Sequence, residues 1–546
     1  MQNSSAVREW QEQAAATDEA EQAAATAADI LAGADPNDRH GNITRLVDAG
    51  WSREDAHHEA VGHGATAKLA SAKQRREDTD RETAAKIATS ADLFRSSDGV
   101  PFATIEVDGH REHVSVRSRR FKAWLTRRFR AEKGKAPSSD ALSVAQTEAE
   151  AIAELEGEVH EVVTRIGYAG GRLYVDLCDE RWRAIEVDRD GWRIVSDPPV
   201  RFHRPSDAVA LPEPVRGGTL DALRPFVNAP EDDDWRMMLA WLIGAIAPDG
   251  PYPLLVLYGE QGSAKSTTSR RLREVIDPAK TITRETPKGT HDLAIAAKRC
   301  RVLAYDNLSW LTTEMSDALC RLATGGGLGT RRLYSDDEEA TFYAKRPIIL
   351  NGIEEVATRG DLLSRAVVLS LPTLAVVRDE RTMDEEWTQA HPAILGALLD
   401  AASAALRNVD GVKLERTPRM ADFARWVVAS EAVPGFLDVY AENREDAQGA
   451  EIDSSVFAAA LIDYAEAVGT WEGTASELLG RLDAGLEGFP PKGWPTTARA
   501  CSDRVRRHAT ALRSRGVAVE IRRAHGRRLI TLAAEQKAAT ADALPL

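Results

Sequence analysis

The run Leu254-Leu-Val-Leu-Tyr-Gly259-Glu260-Gln261-Gly262-Ser263-Ala264-Lys265-Ser266-Thr267 constrains this chain more than any other stretch. Five apolar residues without alternation read as a strand buried on both faces, which belongs in a parallel sheet. Gly259 and Gly262 let the backbone turn tightly enough to wrap phosphate oxygens. Arg270, Leu272 and Val275 continue as a helix, whose N-terminal N–H groups and positive dipole end face the same anion. At this spacing Lys265 reaches the β- and γ-phosphates, and the Ser266 hydroxyl ligates magnesium. Residues 259–267 are therefore the expected ATP-binding loop, with Mg2+ as the accompanying ion. One position departs from the usual pattern: Ala264 stands where glycine normally precedes the lysine. A methyl there fits if the residue keeps negative φ and nothing packs against its Cβ.

A triphosphate loop needs a carboxylate for magnesium at the end of a neighbouring strand. Arg301-Val-Leu-Ala-Tyr-Asp306 supplies one, making Asp306 and Ser266 the expected metal ligands. The following residue is Asn307, where many such ATPases carry a second acid, so the general base stays open. A helix N-cap is the alternative role for Asp306. The strand Pro347-Ile-Ile-Leu ends at Asn351, whose amide is placed to touch the γ-phosphate or orient water. Arg365 precedes the strand Ala366-Val-Val-Leu-Ser-Leu. Ring ATPases present an arginine finger to the neighbouring subunit from this position, with Arg359 as the second candidate. A surface arginine paired with Asp361 or Glu355 is the alternative.

Composition sets the frame. The chain has 546 residues, 43% hydrophobic and 28% charged, with net charge −15. It can bury cores, and a uniformly basic nucleic-acid coat is excluded. Four dispersed cysteines argue against a thiolate zinc site or a disulfide framework. The polar N-terminus and the short apolar runs predict a soluble, intracellular protein with no membrane partner. Changes of pattern suggest a helical arm at 1–95, a small α+β domain at 96–215 and a P-loop ATPase core with a parallel sheet at 216–375. A helical connector follows at 376–445, then a compact unit at 446–534 and a disordered tail at 535–546. The fold class is multidomain α/β. Asp176 and Asp179 read as ordinary strand-end residues, and His57, His58 and His63 as exposed helix histidines.

The order of motifs resembles the AAA+ core of superfamily-three helicases. More closely, it resembles the helicase halves of poxvirus-type primase-helicases and the replication proteins of phages, plasmids and integrative elements. Further stretches fit that second group: Val195-Ser-Asp-Pro-Pro-Val-Arg-Phe, Leu223-Arg-Pro-Phe-Val-Asn, Asp306-Asn-Leu-Ser and Leu319-Cys-Arg-Leu-Ala-Thr-Gly-Gly-Gly. The resemblance covers about residues 96–533. It implies a ring, usually a hexamer, that hydrolyses ATP between subunits and translocates on DNA. No primase active site is recognisable upstream.

Two regions suit DNA. In superfamily-three helicases a hairpin between the magnesium-carboxylate strand and the next strand enters the ring channel. Here Arg331 and Arg332, helped by Lys345 and Arg346, are the expected contacts to a single strand. The acidic run 336–339 argues against the hairpin tip itself. At the C-terminus, Thr474-Ala-Ser-Glu477 is a capping box. A second helix over 497–514 and two strands joined around His525-Gly526 suggest a winged helix, with Arg504, Arg507, Arg522, Arg523 and Arg527 as phosphate contacts to duplex. Residues 496–530 and 111–135 each carry +8. Positive charge gathered in two places on an acidic chain is an electrostatic footprint for nucleic acid. A non-helicase AAA+ DNA-binding ATPase and a nucleotide-bound scaffold with little turnover are the rival readings.

Overall fold

A computed structural model describes residues 27, 29–31, 34–35, 38–49, 51–331, 339–352, 360–453, 455–486, 488–491, 494–524 and 527–534. The chain divides into two compact units. The first comprises Met1–Arg95, Gly99–Ile105 and Val114–Val159, and the second Ser96–Asp98, Glu106–His113 and His160–Leu546. A break falls at Arg95, and further crossings follow at 99, 106, 114 and 160. The helices over 119–155 gather with the N-terminal helices, whereas the strands after residue 160 join the second unit.

Along the N-terminal part of the chain, α1 (Arg39–Asp48) and the 37-residue α2 (Arg53–Thr89) lead into strands β1 (Asp92–Ser96), β2 (Pro101–Val107) and β3 (His110–Ser115). Helices α3 (Arg119–Lys133) and α4 (Ser139–Leu155) follow, then β4 (Glu158–His160), and the sheet order is β3-β2-β1-β4. The expected turn is present, with Asp108 and Gly109 both at positive φ (47° and 84°). That pair suits the twist of a two-residue hairpin. Helix α3 is capped by Ser118 and stopped by Gly134 in the left-handed region, and it buries Phe121, Trp124, Leu125 and Phe129.

The second unit starts with β5 (Val162–Val163), then a meander of β6 (Ile166–Ala169), β7 (Arg172–Asp176), β8 (Ala184–Asp188) and β9 (Gly191–Val195) in that spatial order, with β10 (Arg201–Phe202) beside β5. Helix α5 (Asp232–Ala245) is buried around most of its circumference and feeds β11 (Leu254–Tyr258), α6 (Lys265–Ile276) and α7 (Thr290–Arg299). Strand β12 (Leu303–Leu308), α8 (Thr313–Thr324), the hairpin β13 (Leu328–Arg331) and β14 (Glu339–Phe342), β15 (Ile348–Gly352), α9 (Gly360–Leu363) and β16 (Ala366–Ser370) complete this part. The parallel sheet has the order β12-β15-β11-β16. Arg284 bridges in parallel to Tyr305, adding a stub beyond β12.

Alternate residues of β11 face different cores. Leu255 and Leu257 join a cluster that includes the meander, α5 and the later helices, while Leu254 and Val256 join one with α7 and α8. This two-sided burial is why the strand shows no alternation. Helices α10 (Glu380–Asn408), α11 (Ala421–Ala429) and α12 (Phe436–Asp453) share the first of these clusters, so the expected connector is continuous with the parallel-sheet core. One ion pair ties the meander's entry to the same body. The buried Arg165 Nε donates to Asp277 Oδ1 at 3.0 Å, and Asp277 Oδ2 accepts the N–H groups of Arg301 (2.8 Å) and Val302 (3.1 Å). Asp176 and Asp179 are structural, as expected: Arg204 holds Asp176, and Arg183 holds Asp179.

The C-terminal part runs α13 (Val456–Val468), β17 (Thr470–Thr474), α14 (Ala475–Asp483), α15 (Ala498–Ser514), β18 (Val517–Ala524) and β19 (Arg527–Ala534), with sheet order β17-β19-β18. The Thr474–Glu477 capping box is formed in both directions. The first helix and first strand were not expected from the sequence. Residues 525–526 and 535–546 lie outside the described residues.

His391 of α10 stacks on Trp387 with ring centroids 4.8 Å apart. Burial pushes it down to about 4, the Arg271 guanidinium adds to this, and a backbone hydrogen bond at Val275 opposes it. The unfolded chain therefore binds a proton that the fold refuses between about pH 6.5 and 4, and stability falls as pH drops through that window. The loss amounts to about 3 kcal/mol for this group. Urea melts at pH 7 and pH 4.5 should show a smaller difference for His391→Gln than for the natural protein. An equal difference in both would contradict the assignment.

Candidate nucleotide site and basic surfaces

Parallel register gathers the carboxyl ends of three strands. Leu257 of β11 lies opposite Asn351 of β15, and Tyr305 of β12 opposite Leu350. The loop after Tyr258, the carboxylate of Asp306 and the amide of Asn351 therefore share one edge, where open parallel sheets place ligands. Gly259 (φ 149°) and Gly262 (φ 89°) both adopt conformations that favour glycine. A Cβ on Gly259 would also fall 2.4 Å from Leu371 O.

Ala264 departs from expectation. It has φ 55° and ψ 28°, the left-handed region, where a side chain costs about 1–2 kcal/mol. The loop imposes the glycine conformation on an alanine. As N-cap of α6, Ala264 also offers no side-chain acceptor, so the first-turn N–H groups have no side-chain cap. Those donors are the ones an anion would take.

Lys265 folds back over its own loop, donating to Gly259 O (2.6 Å), Glu260 O (2.8 Å) and Ser263 Oγ (3.2 Å). Ser266 Oγ donates to Asp306 Oδ1 at 2.9 Å. An alcohol and a carboxylate thus converge, and hard oxygen ligands of this kind suit magnesium. Among the described residues no group of three or more His, Cys, Asp or Glu forms a metal cage. An ion here would complete its shell with phosphate oxygens and water, as the donor set requires.

Asn351 is buried and doubly engaged. Its Oδ1 accepts Asn307 N at 2.9 Å, and its Nδ2 donates to Ser269 Oγ at 3.1 Å. Ser269 takes one of the two Nδ2 hydrogens. Asn307 itself is exposed, at φ 56°, a conformation asparagine tolerates well.

Sequence reasoning missed Asn228. Its Nδ2 donates to Ser263 O (2.9 Å) and Pro372 O (2.7 Å), and its N–H donates to Thr268 Oγ1 (3.1 Å). One buried amide thereby pins the loop, its helix and the segment after β16. The run Leu223-Arg-Pro-Phe-Val-Asn228 was visible, but nothing local in it announces a tertiary clamp.

Arg365 stands at the opposite end of the sheet. Ala366 pairs with Leu254 and Ser370 with Tyr258, so Arg365 lies about 20 Å along the strands from the loop that starts at Gly259. It is ion-paired with Asp361, which Arg419 also holds at 2.9 Å. Burial pushes the Asp361 carboxyl up, but the Arg365 and Arg419 guanidinia outweigh it and hold it below the usual carboxylate range. Arg359 lies outside the described residues.

The expected DNA contacts divide. Arg332 lies outside the described residues, and only the backbone of Arg331 is described, on β13. Lys345 is committed to Asp249 at 2.7 Å, which corrects its reading as a free phosphate contact. Arg346 also turns inward, donating to Ala297 O and Lys345 O, and burial pulls it down to about 10.

On the C-terminal hairpin, Arg522 pairs with Glu472 of β17 at 2.7 Å and is likewise corrected to an internal partner. Arg523 lies on the other face. It follows the register Val519↔Leu532 and Ile521↔Ile530, and stands directly opposite Arg528. Both are exposed, and neither has an ionic partner among the described residues. Arg528 had not been singled out, because only the strand register distinguishes it from its neighbours. Arg504 is half-buried on α15, and Arg507 and Arg527 are placed by their backbone alone, on α15 and β19.

Two family descriptions match the chain: "Actinomycete integrative conjugative element replication protein" over residues 220–447 and "AICE RepA C-terminal domain" over 457–542. No curated protein matches it. Among solved structures, the apo C-terminal region of NrS-1 aligns at 11% identity over 81% of this chain and 96% of that one, with a TM-score of 0.37. A JCV helicase bound to a small acetamide ligand aligns at 15% identity over 40% of this chain and 59% of that one, with a TM-score of 0.23. No helix among the described residues is long and apolar enough to cross a membrane.

The strain at position 264 is testable without any ligand. Ala264→Gly removes the left-handed penalty and improves the N-cap, offset by the backbone entropy of glycine, for a net gain of about 1 kcal/mol. Thermal melts should show the variant more stable; a destabilised variant would contradict the described loop conformation.

Proposed function

We propose that this chain, a replication protein of the integrative-conjugative-element kind by its two matched regions, is an AAA+ ATPase that drives a helicase or initiator step on DNA. The single observation that carries the reading is the convergence of an uncapped helix N-terminus, Lys265 and the Ser266–Asp306 pair on one sheet edge. In this reading the Lys265 ammonium exchanges the carbonyls of Gly259 and Glu260 for β- and γ-phosphate oxygens. Ser266 and Asp306 would hold magnesium, which would supply charge neutralisation for phosphoryl transfer. Asn351, steadied by Asn307 and Ser269, offers its remaining N–H to the γ-phosphate.

Arg365 is too far from its own loop to act there, so any transition-state role falls on a neighbouring subunit's nucleotide. That requires a ring, and a hexamer is the assembly the resemblance implies. Release from Asp361 would be part of forming the interface. The C-terminal unit, with two helices preceding a hairpin, serves as a winged helix on duplex DNA. The β13–β14 hairpin serves a single strand in the channel.

One observation favours a second reading. Asn307 occupies the place of a second acid, and a chain that binds ATP with little turnover would be a DNA-binding scaffold. Steady-state ATP hydrolysis separates the two. Lys265→Ala should abolish turnover, and single-stranded DNA should stimulate the natural protein severalfold. Turnover indifferent to DNA would contradict the helicase reading, and a forked-duplex assay distinguishes strand separation from duplex binding alone.

The hairpin makes its own prediction. Arg523→Ala with Arg528→Ala should weaken duplex binding about tenfold or more at moderate salt, while Arg522→Ala leaves it nearly unchanged. Equal effects of the two variants in a fluorescence titration would contradict the division of faces.

A further inference from the structure

Helix α3 of the first unit carries a charge pattern that the ATPase site does not use. Its apolar residues Phe121, Trp124, Leu125 and Phe129 are buried. Arg119, Lys122, Arg130 and Lys133 are all exposed. None of these four has an ionic partner among the described residues, whereas Arg120 and Arg127 have interactions of their own. At 100° per residue the four free cations fall within about 80° of arc, and they span about 21 Å of helix axis. The only acid on the helix is Glu132. Like charges aligned this way repel one another, and nothing in the packing of the helix requires them, because its apolar face is already satisfied.

We propose that this stripe is a second nucleic-acid site, one that grips the phosphate backbone of duplex DNA independently of the C-terminal hairpin. Burial of the apolar face leaves no surface for lipid insertion, so an amphipathic membrane helix is excluded for α3. Single-strand sites combine a basic track with exposed aromatic platforms, but the aromatic residues of α3 are buried. Point charges without a base-reading or stacking partner suit a dense, regular row of phosphates. The stripe therefore supplies affinity and register on DNA rather than sequence choice. The inference rests on nucleic acid being this protein's partner, but not on nucleotide turnover.

The test uses the full chain without nucleotide, a fluorescent 30-base-pair duplex of arbitrary sequence, and titrations at several salt concentrations. Arg119→Gln, Lys122→Gln, Arg130→Gln and Lys133→Gln combined should lower affinity at least about tenfold. They should also reduce the slope of log affinity against log salt by about three to four, roughly one for each phosphate left without its cation. Arg119→Lys with Arg130→Lys should leave both affinity and slope unchanged, because phosphate attraction needs only the charge. If the combined variant melts early, the pair Lys122→Gln and Lys133→Gln gives the same reading at half the effect.

Unchanged affinity and slope in a folded variant overturns the proposal. Tighter binding of a 30-nucleotide single strand through the same four residues, or equal binding of polyglutamate through them, also overturns it and reassigns the stripe to that partner. If the natural protein binds no duplex at any salt, the nucleic-acid reading itself fails, a result distinct from a natural protein that binds while the variant matches it.

Discussion

The parallel pairing of β11 with β15 and β16 is the constraint on which the site depends. Because Leu257 lies opposite Asn351 and Ala366 opposite Leu254, the same sheet puts the 259–266 loop at one end and Arg365 at the other. A shift of one residue would turn Leu254 and Val256 toward the wrong core and move Asn351 off the edge. Burial of β11 on both faces thus fixes the chemistry as well as the fold. The 2.9 Å bond from Ser266 to Asp306 is the visible result: two residues 40 positions apart meet because two strand ends must.

Order around that edge comes from a few polar clamps set in apolar packing. Asn228 holds the loop, its helix and the chain after β16 with one side chain and its own N–H. Asn351 links the strand end to α6. Asp277 joins Arg165 to the backbone entering β12. Buried amides and carboxylates are costly when unpaired, so each clamp also selects one arrangement of the elements it joins. The strained alanine at 264 persists in this setting because the surrounding loop overdetermines it.

Much of this was legible in the sequence where the signal is local. The unbroken apolar run marked β11, the Asp108-Gly109 pair marked a hairpin, and Thr474 with Glu477 marked a helix start. The loop residues and Asp306 were readable from spacing alone, and in the fold Ser266 Oγ lies 2.9 Å from Asp306 Oδ1. What escaped was set by tertiary contact. The sign of φ at Ala264 follows from the loop's closure, and the capture of Lys345 by Asp249 and of Arg522 by Glu472 follows from the approach of distant segments. The same holds for the division at residues 114–159, where helix packing rather than composition decides which unit a segment joins.

The central claim is that the edge formed by residues 259–266 and Asp306 holds a magnesium nucleoside triphosphate. Isothermal titration of the full chain with a slowly hydrolysed ATP analogue, with and without Mg2+, tests it most directly. The account expects saturable binding at one site per chain, strengthened by the metal, with Asp306→Ala losing the metal dependence and Lys265→Ala losing the binding. Absence of binding in the folded natural protein, or binding that neither substitution alters, would contradict it.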